Sequence, residues 1–139
     1  MSAAAGREQL KKLPAMTARR RENLALFQRL FSGDRRFIIQ REHGKSSSFS
    51  FTIILNPEMN LDRERVFGAL RQADIGFRMI TGGCFPSHDV IRHFDYELVG
   101  DIPNAKLAHN EGFFVGNSPA DLTPQLTRLR DVLESACRK

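Results

Sequence analysis

The chain has 139 residues, 41% apolar and 27% charged, with a formal net charge of +5. That length supports one hydrophobic core and is short for two ordinary domains. No apolar run approaches the roughly 20 residues of a membrane span. The opening MSAAAGREQLKKLP has no signal-peptide apolar stretch, so a soluble, cytoplasmic setting is expected. The two cysteines, Cys84 and Cys137, do not make a disulfide framework.

Basic residues are concentrated early, at Lys11, Lys12, Arg19, Arg20, Arg21, Arg35 and Arg36. A nucleic-acid face needs interleaved aromatics or a recognition element as well as charge. The run reads more simply as a solvated helix face with a mild attraction for anions.

Residues 7 to 31 read as a helix, with Leu10, Leu13, Met16, Leu24, Phe27, Leu30 and Phe31 at helical spacing. Pro14 is expected to kink or restart it. RFIIQ (36–40) reads as a strand, EHGKSSS as a loop, and FSFTIIL (49–55) as a second strand. The alternation of Phe49, Phe51, Ile53 and Leu55 with mostly polar neighbours predicts a sheet covered on one side. A helix follows over 61–73, capped by Asn60 or Asp62, with Val66, Leu70 and Ala73 inward and Gly76 closing it. FRMIT (77–81) is the third strand, and 82–100 is irregular or short helix. Asp101 can cap a short helix running to about Asn110, with Pro103 in its first turn. GFFVGN (112–117) is the fourth strand. Thr123 then caps a last helix that has Pro124 at its first position and Leu126, Leu129, Leu133 and Ala136 inward. The expected fold is α+β: a small, mostly antiparallel sheet with helices on one face, including 61–73 and 121–137.

RMITGGCFPSH (78–88) is the chemically suggestive stretch. Cys84 and His88 form a candidate nucleophile and base, but no orienting group or oxyanion motif accompanies them. Cys84, His88 and His93 have a metal-like spacing without a partner motif, and His43 and His109 would join only through the fold. Gly82 and Gly83 permit either a left-handed turn or a close approach by a ligand or another backbone. The aromatic set Phe77, Phe85, Phe94, Tyr96, Phe113 and Phe114 could stack bases, although aromatics at strand positions more simply belong to the core.

Several segments carry a family likeness. AAAGREQLKKLPAMTARRREN (3–23) resembles the segment entering the small domain of PLP-dependent nucleotide-sugar aminotransferases. IGFRMITGG (75–83) is similar to one of their strands. HFDYELVGDIPNAKLAHNEGFFVGN (93–117) resembles the 3-dehydratase branch, and PADLTPQLTRLRDVL resembles the closing helix. The loop departs from the family pattern at Ile80, Cys84 and His88-Asp89.

The resemblance implies a small α/β domain at 35–139 and a helix at 1–34 that bridges to a cofactor-bearing large domain. It implies PLP for the whole enzyme and none held by this chain alone, since Lys11, Lys12, Lys45, Lys106 and Lys139 match no cofactor-lysine motif. It also implies a nucleotide-linked 4-keto-6-deoxy sugar as ligand, with Arg78 the first candidate contact and His88 the second. No catalytic or metal-binding residue is assigned, and the chain alone is expected to be inactive. Partners would be a large domain, or a second copy paired through the helix at 7–31. A stand-alone ligand-binding module without catalysis and a basic nucleic-acid binder are the alternatives.

Overall fold

The computed structural model describes residues 2–80 and 82–138. Helix α1 (Ser2–Phe31) leads into β1 (Phe37–Ile39) and β2 (Ser50–Leu55). Helix α2 (Arg63–Gln72) follows, then β3 (Phe77–Met79), α3 (Pro103–Glu111), β4 (Gly112–Gly116) and α4 (Thr123–Ala136). The strands form one antiparallel sheet in the order β1-β2-β4-β3.

Alternation along β2 decides which face is covered. Phe51, Ile53 and Leu55 point to the helices, together with Phe37, Phe113 and Val115 from neighbouring strands. Against them pack Leu24, Phe27 and Phe31 of α1, Val66, Phe67 and Leu70 of α2, and Leu126, Leu129, Leu133 and Ala136 of α4. Each of these Val, Leu and Phe side chains contributes about 1.5–3 kcal/mol on burial. Phe27 stacks on Phe51 at 4.9 Å and packs beside Phe31 at 4.8 Å. The antiparallel sheet and its one-sided helical cover agree with the fold read from the sequence. The other face carries Ile38, Ile54, Thr52, Phe114 and Arg78 in register.

Local details depart from expectation. Helix α1 runs without a break through Pro14. Residues 3–15 are all exposed, so water can satisfy the carbonyl that Pro14 leaves without a donor, and the surrounding Ala, Glu, Gln, Leu and Lys favour helix. Leu10 and Leu13, at helical spacing but far in sequence from the rest of the core, are 65% and 52% exposed. Helix α2 is capped by Asp62, whose carboxylate accepts from the Arg65 N–H at 3.1 Å. Asp74, not Gly76, takes the left-handed position after it (φ 53°). The Ile75 and Asp74 N–H groups close back onto Leu70 and Arg71 in a Schellman turn, a place where a short polar side chain tolerates positive φ.

The other two caps also shift. Ile102 precedes α3 and no side chain caps it, so Asp101 does not serve. Thr123 is the first residue of α4, and the Asp121 carboxylate accepts from its N–H at 2.9 Å. Of the aromatic set, Phe113 is fully buried, but Phe85, Phe94 and Tyr96 are 53–57% exposed. Those three lie on the connection between β3 and α3, off the sheet, where Cys84 and Ile91 are the buried side chains.

Asn23 and Asn117, each 3% exposed, tie the layers together. Asn23 Nδ2 donates to Asn117 Oδ1 and to the carbonyls of Ser118 and Ala120. Asn117 Nδ2 donates to the carbonyls of Arg20 and Ser48. Helix α1 is thereby fastened to the ends of β2 and β4.

Candidate functional site

Strand β3 is an edge strand, paired on one side by β4. It and α2 wall an open groove of about 660 Å³ lined by Arg63, Phe67, Arg71, Phe77, Arg78 and Met79. The Arg63 guanidinium lies 5.0 Å above the Phe67 ring, and that of Arg71 lies 5.6 Å above Phe77. Arg78 is exposed, stands opposite Phe114 in the register, and forms no ion pair with another described residue. A free guanidinium of that kind can take a phosphate or carboxylate bidentately.

Beyond β3 the chain enters the glycine turn. Gly82 (φ 81°) and Gly83 (φ 45°) both occupy the left-handed region. A Cβ on Gly83 would also collide with the His109 ring. The left-handed reading therefore holds, and the group that approaches closely is a side chain of α3 rather than another backbone. The approach follows from topology. The Ile80 N–H donates to the Gly112 carbonyl at 3.4 Å, so the last turn of α3 lies beside residues 82–84. There the Cys84 N–H donates to His109 Nδ1 at 3.3 Å.

His88 belongs to the same loop. Its Nε2 donates to the Gly82 carbonyl at 2.8 Å, and its ring stands perpendicular to that of His109 with centroids 5.1 Å apart. The loop also contains two short 3-10 turns, Phe85–Ser87 and Asp89–His93. Arg78 and His88 thus flank one turn, though no hydrogen bond joins them. Sequence reasoning names His109 only as a remote addition to a metal set and misses its place against this loop. The signal that could have found it is the second glycine, which needs a partner close enough to forbid a Cβ.

The Cys84 side chain is 1% exposed, and His88 directs its Nε2 to a backbone carbonyl rather than to the thiol. A buried thiol without a base is a packing group. His93 is exposed, and no three His, Cys, Asp or Glu side chains among the described residues are grouped to hold a metal ion. Among the described residues no lysine is placed to hold PLP, and Lys139 lies outside them. Lys11, Lys12, Lys45 and Lys106 are all exposed, and none lines the groove beside β3. Lys11 is engaged with Glu8 at 2.6 Å. No helix among the described residues is long and apolar enough to cross a membrane.

A small antiparallel sheet with helices on one face defines a class met in solved PLP enzymes. The Escherichia coli GDP-4-keto-6-deoxy-D-mannose-3-dehydratase, solved with bound hydrated PLP, matches with a TM-score of 0.88 at 36% identity over 96% of this chain and 34% of that one. The aminotransferase PseC of Helicobacter pylori shares the fold at 14% identity, with a TM-score of 0.77 over 94% of this chain and 35% of that one. In sequence, the GDP-4-keto-6-deoxy-D-mannose 3-dehydratase of Yersinia pseudotuberculosis is 38% identical over 135 residues, 96% of this chain and 34% of the relative. A family model for DegT/DnrJ/EryC1/StrS aminotransferases matches residues 1–129, and the chain belongs to that family. It spans about a third of the length of the curated relatives it matches.

Proposed function

We propose that this chain supplies the small domain of a PLP-dependent 3-dehydratase acting on a GDP-linked 4-keto-6-deoxy sugar. The observation that carries the reading is the 38% identity to the Yersinia enzyme across 96% of this chain. A solved structure of such an enzyme contains GDP-perosamine, which supports a GDP-sugar as the ligand class. The cofactor chemistry belongs to the part of the relatives that this chain does not span, since none of its described lysines lines the groove beside β3. Residues 35–139 are the small domain proper, and residues 1–34 bridge to the cofactor-bearing part. The setting is cytoplasmic, where PLP and nucleotide sugars are available.

In this reading Arg78 takes a diphosphate oxygen pair, as its unpaired guanidinium permits. His88 has its Nε2 committed to Gly82, which leaves Nδ1 as an acceptor for a sugar hydroxyl. The chain by itself turns over nothing.

The test is a fusion in which this chain replaces the matching third of the Yersinia relative. The fusion is expected to bind PLP and consume GDP-4-keto-6-deoxymannose. Arg78→Ala should raise its KM about tenfold or more, since a charged hydrogen bond contributes about 1.5–3 kcal/mol. A fusion that folds and binds PLP but leaves the GDP-sugar untouched would overturn the substrate assignment. An unchanged KM in the variant would remove Arg78 from the site.

A further inference from the structure

We infer that His109 is a positioning residue whose imidazole pins the 82–88 loop through the lone pair on Nδ1. Three observations converge on it. The Cys84 N–H donates to Nδ1 at 3.3 Å, so this nitrogen is the unprotonated one and Nε2 carries the hydrogen. The ring fills the notch left by the missing side chain of Gly83, with Cγ and Cβ of His109 closing around it. His88 stacks edge-on against the same ring at 5.1 Å.

These contacts form one chain of support. Helix α3 holds His109, His109 holds Gly83 and Cys84, and the Gly82 carbonyl beside them receives the His88 ring at 2.8 Å. The loop needs such a pin because two successive glycines at positive φ leave the backbone a wide choice of conformations. Downstream, the bonds from Ser87 to Cys84 and from His88 to Phe85 order the 3-10 turn internally. They do not attach it to the sheet. The inference rests on the proposed function only for what the loop faces; the pin itself is a property of this chain.

The buried thiol of Cys84 reports on the pin without any ligand. Alkylation of Cys84 and Cys137 is followed separately by peptide mass spectrometry in the parent chain, His109→Leu and His109→Asn. Asparagine places Oδ1 near the position of Nδ1 and keeps an acceptor, whereas leucine keeps bulk alone. Leucine is expected to accelerate Cys84 labelling about tenfold, the worth of one lost hydrogen bond. Asparagine should restore most of the protection, and Cys137, at the end of α4, should label equally in all three. Equal Cys84 rates in the parent and His109→Leu, or asparagine as fast as leucine, would overturn the inference. If leucine accelerates Cys137 as well, the fold itself has loosened, and nitrogen-15 NMR of the unaltered chain decides instead. An unprotonated Nδ1 coupled to the Cys84 amide is expected there, and a proton on Nδ1 would overturn the pin. Neither measurement involves a nucleotide sugar, so its failure is distinct from failure of the fusion.

Discussion

Asn117 sits where β4 ends, and its amide is used on both sides. Oδ1 accepts from Asn23, and Nδ2 serves the carbonyls of Arg20 and Ser48. Replacing it with alanine removes the bonds to the Arg20 and Ser48 carbonyls and one of the three made by Asn23 Nδ2. With about 1–3 kcal/mol for each unsatisfied buried group and partial relief by water, Asn117→Ala should cost about 2–4 kcal/mol in urea unfolding. A loss below about 1 kcal/mol would mean that water replaces the amide fully. The Asp34–Arg36 pair titrates instead of packing. The Arg36 guanidinium donates to both oxygens of Asp34, at 2.9 and 2.7 Å, and holds that carboxyl below its ordinary range. A lowered folded value means the stabilisation is complete above the unfolded carboxylate pKa of about 3.9 and lost as pH falls through the folded value. Asp34→Asn should therefore lose about 1 kcal/mol at pH 6, where a partly buried charged pair counts, and a shrinking difference below about pH 4. Urea midpoints at both pH values check this, and a gap that widens in acid would contradict it.

At the scale of elements, what was legible in the sequence is what burial writes locally. β2 shows its inward face because Phe51, Ile53 and Leu55 alternate, and α4 because Leu126, Leu129, Leu133 and Ala136 recur at three and four. The Asn23–Asn117 tie was not legible, because it joins positions 94 residues apart and leaves no periodic trace. His109 was hidden for the same reason: one histidine on a nine-residue helix has no pattern, and its meaning comes from the Ile80–Gly112 register. Arg78 could be singled out only through family likeness, since an exposed arginine on a three-residue strand is unremarkable in sequence. Helix α1 departs from its sequence reading only at Pro14, where no kink or restart occurs. Leu10 and Leu13 lie at core spacing but on an overhang that touches no core, and the helix survives Pro14 because water is present there. Pro14→Ala should slow amide exchange over residues 3–15 by about tenfold or more, given the roughly 3 kcal/mol cost of an interior proline. The same change should leave the unfolding midpoint of the core within about 0.5 kcal/mol. A clear gain in global stability would show that the overhang is coupled to the core after all.

At the scale of the whole molecule, apolar surface stands uncovered at Ile38 and Phe49 and at two further places among the described residues. One is the overhang, where Leu10 and Leu13 are interleaved with Arg7, Lys11 and Lys12. The other is the connection from β3 to α3, where Phe85, Val90, Phe94, Tyr96, Leu98 and Val99 are 45–84% exposed. The second set is larger and has fewer cations among its members, so it is the stronger driver of association. Apolar exposure of this kind is what the core of an interface requires. Alone, the chain should self-associate at micromolar concentration through residues 85–99. The sequence pattern points to the N-terminal helix for this role, whereas the larger exposed apolar set lies on the connection. Phe94→Asp with Val99→Asp should return the chain to a monomer in sedimentation velocity, because a carboxylate in a closing apolar contact must be desolvated without a partner. Removal of residues 1–17 should leave the association largely in place. If the truncation abolishes association and the charged pair does not, the helix carries it, and the 94–99 segment is exposed surface without a partner.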